Sequence, residues 1–252
     1  MASMQPSRIF IIGIAVEGGL GLLGLALAAL TGLDIIGMLV PGSGGAAAAA
    51  TGTNAAGSTA AAVVRTPVGQ VALGVAATLP PLAGFFYSLR SQWPPLSRIR
   101  RTLEDSLMPH FAGLGLLRLA FLAGLAGVGE ELLFRGFLQS ALALPFGEVT
   151  GLVLAATIFG LVHWITPFYA LYAGVLGAYL GALFLLTGGL LAPILCHGIY
   201  DLVALGVLHH RVRRGDVVDE HTAHRRAGEA GHLAAGMEGG ASDVGKNDDV
   251  VE

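Results

Sequence analysis

Glu130-Glu131 followed by Arg135, Phe159 followed by His163, and His197 followed by Asp201 recur at helical spacing inside stretches that are otherwise apolar. An ionisable group at membrane depth costs roughly 2.5–3.5 kcal/mol even on the lenient insertion scale, so a chain that keeps several is expected to use them. On a helix Glu131 and Arg135 share a face with the acid N-terminal, the favourable order for an ion pair. Arg135 then neutralises Glu131, while Glu130, turned about 100° away, is left facing a polar cavity as the candidate general base. Phe159 and His163 share a face by the same spacing, so an aromatic ring walls the pocket one turn from an imidazole. His197 and Asp201 do likewise on a third helix, which Pro193 is expected to bend one turn earlier. One carboxylate and two imidazoles from three helices, meeting in a bundle core, suit the activation of water. Two arrangements are open. In one, Glu130, His163 and His197, with Asp201 beside them, bind a Zn²⁺ that polarises a carbonyl and acidifies its water. In the other no metal takes part: Glu130 and His163 activate water directly, and the His197 face stabilises the tetrahedral oxyanion.

The elements that must position these residues follow from composition. With 54% hydrophobic and only 12% charged residues and a mean hydropathy of +0.71, the chain reads as an all-α polytopic membrane protein. Its 252 residues suffice for about six spans of roughly 20 residues. The expected organisation is one integral membrane domain over residues 1–210, its motif-bearing core at 116–208, and a tail. The net charge of −3 leaves no nucleic-acid footprint, and the lone Cys196 excludes both an internal disulfide and a thiolate-rich zinc site.

The first apolar block, residues 9–30, is longer than a signal-peptide core and reads as a retained anchor. Residues 42–62, rich in Ala, Gly, Ser and Thr, read as a flexible low-complexity loop. A second span over 68–89 carries Pro80-Pro81 and should kink there. Residues 90–109 alternate Arg98, Arg100 and Arg101 with Ile99, Leu103 and Leu107, a pattern for one amphipathic helix lying in the interface, its arginines marking the cytoplasmic side. Further spans are expected over 116–138, 149–165, 169–186 and 190–208. Arg211, Arg213 and Arg214 follow the last, and an even number of crossings places them with Arg8 inside, so both termini are expected in the cytoplasm of a cytoplasmic-membrane protein. Residues 211–252 read as a disordered polar cytoplasmic tail.

Glu-Glu-x-x-x-Arg, Phe-x-x-x-His and His-x-x-x-Asp, in this order and each on its own hydrophobic helix, resemble the motifs of the CPBP family, the CAAX proteases and bacteriocin-processing enzymes also called Abi, over residues 116–208. The resemblance implies an intramembrane endopeptidase with a cavity open toward the cytoplasm. It implies Glu130 as the water-activating residue, His163 as its partner, and His197 with Asp201 around the scissile carbonyl, supported by Glu131, Arg135 and Phe159. A peptide or membrane-protein substrate follows, prenylated in the best-known relatives, and the zinc and metal-free arrangements both stay open.

Blander readings stand beside these. Glu130, Glu131 and Arg135 can form a purely structural ion-pair cluster, and His197 with Asp201 an interhelical clamp. The same residues could serve a proton relay in a transporter, or a scaffold or immunity protein that only binds. Glu17 reads as a structural residue of the first span, Trp164 as an interfacial anchor, and Gly177-x-x-x-Gly181 as a close-packing face. Relatives carry Asn where this chain has Asp201, and an ionised Asp accepts hydrogen bonds but donates none. Asp201→Asn therefore tests the carboxylate: turnover that is retained or raised would end a metal-ligand role that needs a carboxylate.

Overall fold

The computed structural model describes residues 5–39 and 59–214, and every regular element among them is helical. In chain order these are α1 (Pro6–Thr31), α2 (Ile35–Leu39), α3 (Thr59–Val64), α4 (Pro67–Ala76), α5 (Leu79–Arg90) and α6 (Pro94–Thr102). A π-helical stretch, Leu103–Leu107, leads into α7 (Met108–Phe111). Then come α8 (Leu116–Glu131), a second π-helical stretch over Leu132–Gln139, α9 (Ser140–Phe146), α10 (Glu148–Val162), α11 (Pro167–Thr187) and α12 (Leu191–Arg214). The described residues up to His209 form one compact unit; the second unit is described only for 210–214, the end of α12.

Among the described residues the helices long and apolar enough to cross a membrane are Pro6–Thr31, Pro67–Arg90, Pro167–Thr187 and Leu191–Arg214, four in all, or up to five if the pair 94–111 and 116–146, bent by 114°, makes one crossing. The expectation was about six. The difference has two sources: the stretch over 149–165 yields α10 with only 15 residues, roughly 22 Å of helix against a hydrocarbon core of about 30 Å, and the helix carrying Glu130 is one limb of the bent pair.

The kink expected at Pro80-Pro81 is a break at Ala77 and Thr78, after which both prolines fall in the first turn of α5, where a missing N–H is no loss. The Tyr179 hydroxyl donates to the Ala77 carbonyl at 2.7 Å, and the Thr78 hydroxyl to Gly74 at 3.1 Å, so the interruption leaves these groups satisfied.

Three expectations are corrected. Part of the anticipated 42–62 loop is helical, since α3 starts at Thr59 on helix-compatible Ala residues, while residues 40–58 lie outside the described residues. The last helix runs on to Arg214 instead of stopping at 208, its final turn carrying Arg211, Arg213 and Arg214, whose charge complements the helix dipole; the rest of the anticipated tail lies outside the described residues. In the amphipathic segment Arg98 and Arg101 are exposed as expected, but Arg100 is buried and its Nη1 donates to the Leu89 carbonyl at 2.6 Å. Arg98 and Arg101 are three apart on one helical face, and Arg100 falls on the other.

The helix α8 is held closely on two sides. Gly129 lies against the Glu17 carbonyl of α1, where a Cβ could not fit, and a Cβ on Gly127 would come within 2.9 Å of the Gly198 backbone of α12. These approaches set the distances of Glu130 from its neighbours. Gly129→Ala is expected to overpack the α1 contact and cost about 1–3 kcal/mol. Gly124→Ala, with nothing within 4 Å of its Cβ, is the matched control. Thermal unfolding in detergent reads the difference, and equal midpoints would refute the close packing.

Candidate active site

Glu130 and Glu131 end α8, immediately before the π-helical stretch that carries Arg135. Glu131 is completely buried and accepts from two donors on one oxygen: Arg135 Nη1 at 2.6 Å and His197 Nδ1 at 2.8 Å. Arg135, 2% exposed, spends Nη2 on the Gly177 carbonyl of α11 at 2.9 Å, and its guanidinium lies over the Phe159 ring at 4.8 Å. One helical turn on, Gln139 donates to the Gly181 carbonyl at 3.2 Å. Gly177 and Gly181 thus act within this chain: without side chains they leave their carbonyls open to Arg135 and Gln139.

Phe159 stacks on the His163 ring at 4.4 Å and 27°, so it lies between an imidazole and a guanidinium. His163 caps the end of α10 (φ −91°, ψ 22°). Because that helix is short, the imidazole reaches the level of Glu130 despite its position near the end of the apolar stretch. His163 Nδ1 is 2.8 Å from the Phe159 carbonyl. A carbonyl only accepts, so Nδ1 carries the proton; the same reasoning gives Nδ1–H to His197, which faces the Glu131 carboxylate. Both Nε2 atoms therefore turn toward Glu130 Oε2, at 3.7 Å for His163 and 3.9 Å for His197, and Asp201 Oδ2 stands 3.5 Å from His197 Nε2.

Glu130, His163, His197 and Asp201 are thus brought together, with Glu131, Arg135 and Phe159 behind them. Glu130 Oε2 is buried without a hydrogen-bond partner. At 3.7 and 3.9 Å both imidazoles stand beyond direct hydrogen-bonding distance of this oxygen, and within ion-pair distance of it when protonated. The four side chains open on a cavity of about 220 Å³, whose far wall is apolar and includes Phe85, Leu89, Leu96 and Ile99.

Two contributions lay beyond the sequence reading. One is that apolar wall, supplied by α5 and α6, which carry no diagnostic motif. The other is a set of tyrosines, Tyr169, Tyr172 and Tyr200, lining the same cavity. Tyr200 follows His197 by three residues, and Tyr169 and Tyr172 share that spacing on α11, a polar signal readable in an apolar helix. Glu17 does not line the cavity; its Oε2 is buried without a hydrogen-bond partner.

The donor types in Glu130, His163 and His197 are those of a zinc site, but among the described residues no group of three His, Cys, Asp or Glu side chains is arranged to hold a metal ion. The family of Type II CAAX prenyl endopeptidases, Rce1-like, matches residues 112–203, the segment that contains all three motifs, and this agrees with a CPBP-family protease. No curated protein and no solved structure matches the chain. The matched segment is similar to that protease family, and the long apolar helices are those of a membrane protein.

Arg135 carries the positive charge that Glu131 needs. Arg135→Gln is expected to destabilise the protein by about 3–5 kcal/mol, since it leaves a buried carboxylate with one partner. Arg135→Lys should rescue only part of this, because a point charge cannot serve Glu131, Gly177 and Phe159 together. Melting of the purified variants checks both, and a wild-type midpoint for Arg135→Gln would refute the buried pair.

Proposed function

We propose that this protein is an intramembrane endopeptidase that hydrolyses a peptide bond with a water held between Glu130 and the two imidazoles. The supporting observation is the convergence of Glu130 Oε2, His163 Nε2 and His197 Nε2, from three helices, on one cavity. In this reading Glu130 takes a proton from the water as its oxygen bonds to the carbonyl carbon. The carbonyl π electrons pass to oxygen, and the resulting oxyanion collapses to break the C–N bond. The proton held by Glu130 goes to the departing nitrogen, so the products are a carboxylic acid and an amine, which exchange a proton to leave as carboxylate and ammonium. His163, fixed by the Phe159 carbonyl, orients the water; His197, fixed by Glu131, flanks the scissile carbonyl with Asp201 beside it. The side chains that would hold a metal, Glu130, His163 and His197, act in this step without one.

The substrate class is a peptide reaching the cavity from the bilayer. The apolar wall of α5 and α6 supports a lipid-modified one, and a prenylated C-terminal tail is the first to try, given the matched family. The arginines at 98, 101, 211, 213 and 214 support a cytoplasmic-membrane protein with both termini in the cytoplasm. A carrier, scaffold or immunity role would use the same cluster without turnover.

Glu130→Gln keeps the size and removes the base. In liposomes supplied with a farnesylated peptide ending in Cys and three further residues, the variant is expected to lose about 10²–10⁴-fold in kcat with unchanged melting. A wild-type rate in the variant would eliminate hydrolysis at this carboxylate. Exhaustive chelation should leave turnover intact; a loss restored by added Zn²⁺ would assign a metal to the cluster and overturn the metal-free step.

A further inference from the structure

The hydrolytic reading demands a hydrogen-bond donor for the carbonyl oxygen as it takes on charge, since such a donor is typically worth about 10²–10³ in rate. The cavity is poor in them. Glu130 and Asp201 accept when ionised. The His163 and His197 Nδ1–H groups are spent on the Phe159 carbonyl and on Glu131. The Ser88 hydroxyl donates to the Phe85 carbonyl at 2.7 Å, and Arg100 Nη1 is held by the Leu89 carbonyl. The uncharged donors left on the wall are the phenols of Tyr169, Tyr172 and Tyr200.

Tyr172 of α11 and Tyr200 of α12 line the cavity with the site residues, and their hydroxyl oxygens are 3.0 Å apart. Two phenols sharing one hydrogen bond use one O–H between them. Either can be the donor, and in both cases the second O–H has no acceptor among the hydrogen bonds of the described residues. That second hydroxyl also accepts a hydrogen bond, which polarises its own O–H and makes it the stronger donor. The pair is preorganised: Tyr200 is 9% exposed, and Phe85 packs edge-on against its ring at 6.3 Å and 82°. Tyr200 also follows His197 by three residues, on the same face of α12.

We infer that Tyr172 and Tyr200 act as one phenol pair whose outward O–H hydrogen-bonds the scissile carbonyl oxygen and stabilises the oxyanion, supplying the donor that the Asp201 carboxylate does not. The inference rests on the hydrolytic reading above. It adds two catalytic residues that none of the three motifs specifies, and no bond other than a hydrogen bond forms or breaks at them.

The test uses the full chain in liposomes and the farnesylated peptide, with Tyr172→Phe, Tyr200→Phe and the double variant, which keep both rings and their packing. The double variant is expected to lose about 10²-fold in kcat, with KM within about threefold of wild type. Each single variant should lose less, because the surviving phenol still donates. A peptide phosphinate, which presents tetrahedral oxygens at the scissile position, should inhibit the double variant about 10²-fold more weakly. Binding of uncleaved peptide, measured in the Glu130→Gln background, should stay unchanged. Tyr87→Phe, exposed and outside the cavity, is the control.

An unchanged kcat in the double variant, a rise in KM alone, or unaltered phosphinate affinity overturns the phenol pair. If the double variant melts early, phosphinate affinities of the two single variants decide by the same criterion. Full activity of the double variant beside an inactive Glu130→Gln would sink the pair and spare the hydrolytic reading. An active Glu130→Gln would sink both.

Discussion

One buried carboxylate organises the site. Glu131 takes Arg135 and His197 on a single oxygen, at 2.6 and 2.8 Å, with no exposure to solvent. A carboxylate in that position is tolerable only while both donors stay, because the desolvation penalty has no other source of compensation. Each donor is then constrained by what it does for Glu131. Arg135 is pinned with its second nitrogen on Gly177 and its plane over Phe159. His197 is fixed with Nδ1 protonated, which leaves Nε2 to face Glu130 and Asp201. The Glu-Glu pair thus divides into an acid whose Oε1 holds Arg135 and His197, and a neighbour whose Oε2 faces the two imidazoles across 3.7 and 3.9 Å.

The backbone makes this division possible. Within apolar surroundings every polar group must be satisfied internally. The π-helical stretch after Glu131 serves this locally, for the Ser140 hydroxyl takes up the Arg135 carbonyl at 2.9 Å. Arg135 and Gln139, one turn apart, then meet the carbonyls of Gly177 and Gly181, also one turn apart. Small residues do the rest: Gly127 and Gly129 let α12 and α1 close on α8 from two sides. Charge and close packing depend on each other, since the ion-pair network has its short distances only while those helices approach.

Much of this was legible in the residues. The spacing from Glu131 to Arg135 announced an ion pair, because helical geometry is local and four residues always return to the same face. An interruption near Pro80-Pro81, which falls at Ala77 and Thr78, and an amphipathic helix within 90–109 were readable for the same reason. The number of crossings was less so: apolarity marks a stretch as compatible with lipid, but α10 ends after 15 residues and α8 belongs to a bent pair, outcomes set by helix ends and packing. The inward turn of Arg100 and the cavity wall from α5 and α6 were invisible for a related reason. Leucines that line a pocket and leucines that face lipid have the same composition.

By itself the sequence determined the solvent, the helical class, and which polar side chains share a face within one helix, because hydropathy and helical periodicity are properties of short stretches. Only the tertiary structure decided which of those faces meet. It put His163 and His197 within 4 Å of one oxygen of Glu130, spent Glu131 on Arg135, and paired Tyr172 with Tyr200 across 28 residues. Such pairings depend on how separate helices stack, and stacking is settled by the sum of many weak contacts that no single motif contains.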